Sequence, residues 1–247
     1  MNHFFAHAGS PDGDLWIRDP GDVKHIKNVL RMKTGEKISV SDTAAGRVYI
    51  CRIEEFTPDG IRTAIEDINA QARELPVEIT LFQGLPKKDK MDLIVQKAVE
   101  LGAVRIVPVE TRRTIVKLDR KKAEKKCARW NEIAKSAAGQ SMRSVIPEVH
   151  MPVSFKEALA MASDLDMFLM PYENAKGMES ARELVKEAAG KKSLGIMIGP
   201  EGGFAPEETE EAREAGAALM TLGHRILRTE TAGMMVLSVL GFSMEED

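Results

Sequence analysis

The stretch IGPEGGFAPEE, Ile198 to Glu208, follows a run of apolar residues with three glycines and a proline, and a patch of glutamates comes next. A buried strand that stops on Gly-Pro-Glu-Gly-Gly leaves backbone that a ligand can approach. The same residues also suit a plain tight turn into a helix starting at Pro206. Proline then stands in the first turn, and Glu207 and Glu208 favour the helix dipole. The second loop, LGHRILRTETAGMM, joins a strand ending in Leu222 to an apolar segment. Gly223 permits close backbone approach. Ile226 and Leu227 are large apolar residues in a loop, costly to hydrate unless they cover a ligand or the core. Arg225 and Arg228 bracket them, and Thr229 or Thr231 can cap the following helix. A hydrophobic wall with exposed backbone donors and acceptors suits an adenosine-type ligand. A third loop, MPYENA, stands at 170–175.

Other chemistries leave no trace. GPEGG is neither GxxxxGK[ST] nor GxGxxG, so the usual NTPase and dinucleotide turns are missing. There is no GxSxG elbow. The five histidines, His3, His7, His25, His150 and His224, are scattered and form no HxH pair, and no metal is expected. His224 reads as a loop hydrogen-bonder, and Met142, Met234 and Met235 as core filler. The two cysteines, Cys51 and Cys127, lack CxxC spacing, which fits a reducing cytoplasm. The opening MNHFFAHAGSPDGD has no basic n-region before an apolar run, so no secretory signal is expected. No stretch approaches the roughly 20 apolar residues that cross a bilayer.

Net charge is −3, yet residues 105–129 hold ten Lys or Arg against three acids, and residues 200–247 hold ten acids against three arginines. From charge alone, a solvated helix face comes before a polyanion-facing surface.

The elements that must position these loops follow from periodicity. Residues 1 to about 72 read as short strands of a small barrel or sandwich, including GEKISVSD, GRVYICRIEEF and AIEDI. One helix is expected at 22–32, with Val23, Ile26, Val29 and Leu30 on one face. Beyond a boundary near 70–76 the rhythm changes. VEITLFQG, VRIVPV, DMFLMP, SLGIMIGP and AALMTLG read as strands. Helices are expected in MDLIVQKAVELG, at 119–138, near 177–189 and near 206–215. Alternation of strand and helix implies a mostly parallel α/β sheet, whose ligands bind beyond the carboxyl ends of the strands. TAGMMVLSVLGFSM, Thr231 to Met244, carries no charge and reads as a helix buried in the domain, against a second subunit, or both.

Together, IGPEGGF and LGHRILRTETA resemble the signature of the ribosomal RNA small-subunit methyltransferase E family, whose members methylate N3 of a uridine in 16S rRNA and belong to the SPOUT methyltransferases. HIKNVLRMKTGE, MDLIVQKAVELG and QSMRSVIPEV extend the resemblance along nearly the whole chain. Two positions depart: His3 stands where arginine is usual, and Ala205 where a hydroxyl residue commonly caps a helix. The resemblance implies a PUA-like RNA-binding β-barrel domain at 1–72 and an α/β SPOUT domain with a trefoil knot at 73–247. It implies S-adenosylmethionine as cofactor, 16S rRNA in the small subunit as partner, a homodimer, and a cytoplasmic place. It carries cofactor binding onto Pro171, Glu173, Ile198, Gly199, Gly202, Gly203, Leu222, Gly223, Ile226, Leu227 and Thr231. Arg228 is the expected donor to a uracil carbonyl, and Glu230 a further catalytic candidate. His25, Arg31, Gln140 and Arg143 are candidates for RNA contact.

Overall fold

A computed structural model describes residues 1–6, 14–69, 74–175 and 177–245. Residues 7–13, with His7 and part of the opening segment, lie outside them, as does the expected boundary between 72 and 73. The chain divides into two compact units: Met1–Glu74 with Ala138–Ile146, and Leu75–Ala137 with Pro147–Asp247.

In the first unit, β1 (His3–Ala6), β2 (Leu15–Ile17), β3 (Lys37–Asp42), β4 (Arg47–Thr57) and β5 (Gly60–Asn69) form one sheet in the order β1-β3-β4-β5-β2. Alternation in GEKISVSD and GRVYICRIEEF turns Ile38, Val40, Cys51 and Ile53 into the core, with Phe4, Leu15, Ile17 and Ile61. The sheet curls so that β1 and β2 come near one another, but the described pairings leave both as edges.

The helix expected at 22–32 is shorter and broken. α1 (Pro20–Lys24) starts on an Asp19 cap, whose Oδ1 accepts from Asp22 N at 2.9 Å. A π-helical turn, His25–Val29, follows, with Leu30 N donating to His25 O. Arg31 lies past its end with φ 53°, so it does not share a helix with His25. The widened turn buries Ile26 completely while the chain leaves the helix.

Arg143 ties residues 138–146 into this unit. The residue is 2% exposed and its Nε donates to Glu74 Oε2 at 3.0 Å. Glu74 Oε1 also accepts from Ser144 N at 2.9 Å and Ser144 Oγ at 3.1 Å. The Arg143 carbonyl accepts from Ser41 Oγ and from His3 Nε2, each at 3.1 Å.

In the second unit the elements run β6 (Glu78–Gly84), α2 (Lys90–Glu100), β7 (Ala103–Glu110), α3 (Arg120–Gln140), β8 (Glu148–Val149), β9 (Val153–Ser154) and α4 (Phe155–Ser163). Then come β10 (Met167–Pro171), α5 (Met178–Ala188), β11 (Ser193–Ile198), α6 (Pro206–Glu214), β12 (Ala218–Met220) and α7 (Thr229–Met244). The sheet order is β12-β10-β11-β6-β7-β8, with β9 also on β7, and every described pairing is parallel. That explains the unbroken apolar runs: strands covered on both faces need no polar alternation. Phe82, Phe168, Met170 and Met197 meet in the core with Phe155 and Ala158 of α4. Sequence reading passed over α4, although Ser154 and Glu157 have capping-box spacing. The Glu157 amide donates to Ser154 Oγ at 3.3 Å, and the Ser154 amide to Glu157 Oε2 at 2.8 Å.

One helix start agrees with expectation and one differs. α6 begins at Pro206 as expected, with Ala205 at the cap position making no side-chain bond, and only the reciprocal half of a capping box is present: Glu208 Oε2 accepts from Ala205 N at 2.9 Å. α7 is capped by neither Thr229 nor Thr231. Arg228 occupies the cap position without a side-chain bond, and the Thr229 hydroxyl bonds elsewhere. α7 buries Val236, Leu237, Leu240 and Met244 but leaves Val239 and Phe242 exposed, so burial on most sides holds for only one face of this chain.

Removing one partner of the Arg143–Glu74 pair strands a charge out of water. Glu74→Ala should cost about 3 kcal/mol of stability, against which urea unfolding is the check; a loss within the scatter of surface mutants would reject the clamp.

Candidate functional site

Strands β12, β10 and β11 are consecutive neighbours and all point the same way, so their outgoing loops emerge at one edge. These loops line a cavity of about 510 Å³, a size suited to a small ligand. Pro171 and Glu173 come from the first, Ile198, Gly199 and Gly203 from the second, and Leu222, Gly223, Ile226 and Leu227 from the third, together with Arg228. Gly203 has φ 65°, a conformation glycine adopts without the strain of a side chain. Ile226 stands on the rim 89% exposed, where a ligand would cover it.

Three predicted residues stay out of the wall. Gly202 instead accepts from Arg113 Nη1 through its carbonyl, at 2.8 Å. Thr231 is exposed on the first turn of α7. Glu230 does not line the cavity, and its Oε2 is buried 3.2 Å from Lys90 Nζ.

Lys90, which sequence reading missed, lines the cavity from the start of α2. Its ammonium lies 3.2 Å from Glu201 Oε1 as well as from Glu230. Glu201 chiefly, then Glu230, lifts Lys90 above its ordinary value against the opposing effect of burial. Burial pushes the Glu201 carboxyl up, but its own amide, Lys90 and the Lys87 amide outweigh that and hold it below the usual range. Lys90 therefore takes both carboxylates, while Arg228 lines the cavity as an exposed residue. The signal for Lys90 lay in the sequence as a lysine at a helix start, but only folding brings it beside Glu201.

The loop after β7 is clamped to the same region. Glu208 is 1% exposed, and its Oε1 accepts from Arg112 N at 2.7 Å. Among the RNA candidates, His25, Arg31 and Gln140 are exposed, whereas Arg143 is buried and engaged with Glu74. His3 is turned into hydrogen bonds with Ser39 and with the Arg143 carbonyl. Among the described residues there is no group of three metal-ligating side chains. No described helix is long and apolar enough to cross a membrane.

Residues 73–241 match the RNA methyltransferase domain family and residues 17–66 the RNA methyltransferase PUA domain family. The chain is 38% identical over 227 residues to ribosomal RNA small subunit methyltransferase E of Bacillus subtilis, covering 91% of this chain and 88% of that protein. The same-named protein of Aquifex aeolicus is 32% identical over 232 residues, covering 92% and 94%. A crystal structure of the same-named enzyme from Neisseria gonorrhoeae, bound to S-adenosylmethionine, matches with a TM-score of 0.83 and 33% identity over 98% of each chain. With two loop motifs meeting at one cavity and relatives similar along almost their whole length, the chain belongs to the ribosomal RNA small subunit methyltransferase E family.

Proposed function

We propose that the protein transfers a methyl group from S-adenosylmethionine to N3 of a uridine in 16S rRNA of the small ribosomal subunit. The observation that carries this is the meeting of the loops after β10, β11 and β12 around one cavity, in a chain similar to an enzyme solved with that cofactor. The residues suit it. Leu222, Ile226 and Leu227 offer apolar surface to a purine, the main chain of Gly199, Gly203 and Gly223 allows close contact, and Pro171 and Glu173 supply another wall. Gly202 acts on this pocket through its loop, and Thr231 through the first turn of α7. Bound there, the cofactor supplies an electrophilic methyl group on a sulfonium centre.

The protein contributes position and field. The imide nitrogen of uracil is a poor nucleophile until its proton leaves. Arg228 donates to a uracil carbonyl as negative charge builds, while Lys90 holds Glu201 and Glu230. Glu230 or Glu173 accepts the proton. Exposed His25, Arg31 and Gln140 contact RNA phosphate or base edges, and the target base is splayed from its stack to be reached. Arg143 supports that surface through Glu74 rather than touching RNA. In this reading residues 1–72 form the PUA-like RNA-binding domain and 73–247 a SPOUT domain threading a trefoil knot, working in the cytoplasm.

A homodimer through α7 is part of the reading. Val239 is 42% and Phe242 89% exposed on a helix with no basic residue. Val239 also helps wall, with Val185 and Met235 among others, an apolar hollow of about 280 Å³. An apolar face of that kind is what a partner surface covers.

Undermethylated small subunits given enzyme and cofactor should yield 3-methyluridine on nucleoside mass spectrometry, and Arg228→Ala should lower kcat about 10²–10³-fold. A different methylated base would redirect the reading, and normal turnover of the variant would remove Arg228 from it. The proton acceptor should reveal itself as whichever of Glu230→Gln and Glu173→Gln loses the acidic limb of the pH–rate profile; two unaltered profiles would exclude both. Phe242→Glu should turn a dimer into a monomer in analytical ultracentrifugation, and an unchanged sedimentation coefficient would place the interface elsewhere.

A further inference from the structure

A short chain of buried hydrogen bonds runs into the pocket wall, where Thr229 and Gly199 line the cavity, and links three separate elements. Gln83, near the end of β6, is completely buried. Its Nε2 donates to Gly84 O at 3.0 Å and to Thr229 Oγ1 at 2.8 Å. Thr229 opens α7 and is 6% exposed, and its hydroxyl donates to Gly199 O at 2.6 Å.

The direction of this relay is dictated by its ends. Gly84 O and Gly199 O are carbonyls and can only accept. Thr229 spends its one proton on Gly199, so it must accept from Gln83. The amide of Gln83 therefore faces both partners with its NH₂ group, and a flip would set oxygen against the Gly84 carbonyl. The consequence is visible on the other side of the amide, where Gln83 Oε1 is buried with no hydrogen-bond partner among the described residues. A fold that keeps an orphaned acceptor in its interior gains something from the two bonds it retains.

What it gains is control of the Gly199–Pro200 turn, which lines the cavity. Pro200 brings no N–H, so the Gly199 carbonyl is the only hydrogen-bonding group of that peptide, and Thr229 occupies it. The end of β6 also meets the turn directly. A Cβ on Gly84 would stand 2.6 Å from Pro200 Cδ and 2.7 Å from Pro200 N. Position 84 thus admits no side chain unless the turn moves away.

We infer that Gln83 and Thr229, with Gly84 as the close contact, are positioning residues that hold the Gly199–Pro200 turn in the shape that receives the nucleoside cofactor. The inference rests on the cofactor reading above, and neither Gln83 nor Gly84 carries a recognisable site motif. Placement errors near 1 Å cost about 10²-fold in an active site, so loosening one bond of the relay should weaken cofactor binding about tenfold.

The test is calorimetric titration of S-adenosylmethionine into full-length wild type, Thr229→Val, Thr229→Ser and Gln83→Met, with a melting curve for each. Thr229→Val keeps shape but loses the hydroxyl, and Thr229→Ser restores it. The expected result is Kd raised about tenfold in Thr229→Val and Gln83→Met, near wild type in Thr229→Ser, with KM for the cofactor rising more than kcat falls. Wild-type affinity in folded Thr229→Val and Gln83→Met overturns the inference while leaving the cofactor reading intact. Equal weakening in Thr229→Ser also overturns it, because bulk rather than the hydroxyl would then be at work. Absence of binding by wild type itself sinks the cofactor reading, and the inference falls with it.

Discussion

Parallel pairing is the constraint on which this molecule's site depends. In a parallel sheet each strand must be followed by a crossover, and all carboxyl ends lie along one edge. Here β12, β10 and β11 are immediate neighbours in that order, so three loops far apart in sequence leave the sheet side by side. The cavity is a product of that adjacency. The helices that make the crossovers cover both faces of the sheet, and the strands can then be almost wholly apolar. Glycine serves the close approach and the turn: Gly84, at the end of β6, lets it meet Pro200, and Gly203, in the loop after β11, turns the chain with positive φ.

Charge is distributed around the cavity by a second constraint, that carboxylates near a pocket wall need a partner. Lys90 supplies it for both Glu201 and Glu230, from the first turn of α2. The arginines of the third loop, Arg225 and Arg228, stand exposed along the cavity. Glu208 plays a related part out of water, accepting amides from Ala205 and Arg112 and so joining the start of α6 to the loop after β7. In the first unit Glu74 does the same for the segment around Arg143. In each case a carboxylate fastens backbone that has no ladder of its own to join.

Much of this was legible before folding. Periodicity located strands β6, β7, β10, β11 and β12 and helices α2, α3, α5, α6 and α7, though not the two-residue strands β8 and β9, because long apolar runs and 3.6-residue spacing are local properties. It failed where local signals were weak or tertiary contacts prevailed. The helix at 22–32 broke into a π-helical turn as Ile26 was drawn into the core, leaving Arg31 beyond its end. α4 was missed because its capping box was overlooked. Arg143 is a candidate for RNA contact by sequence, and its burial could be read only from Glu74, nearly seventy residues away in sequence.

The sequence by itself determined which loops carry the glycines, the aliphatic pair Ile226–Leu227 and the flanking arginines, since these are choices of residue type at short spacing. It also carried the resemblance that named the family. Only the tertiary structure decided that three loops share one cavity, that Lys90 rather than Arg228 meets the two glutamates, and that Thr229 bonds Gly199 instead of capping its own helix. The reason is physical. Hydrogen bonds and ion pairs form between atoms a few ångströms apart, and for residues as distant in the chain as Gln83 and Thr229 that proximity is created by strand order, which no local pattern encodes.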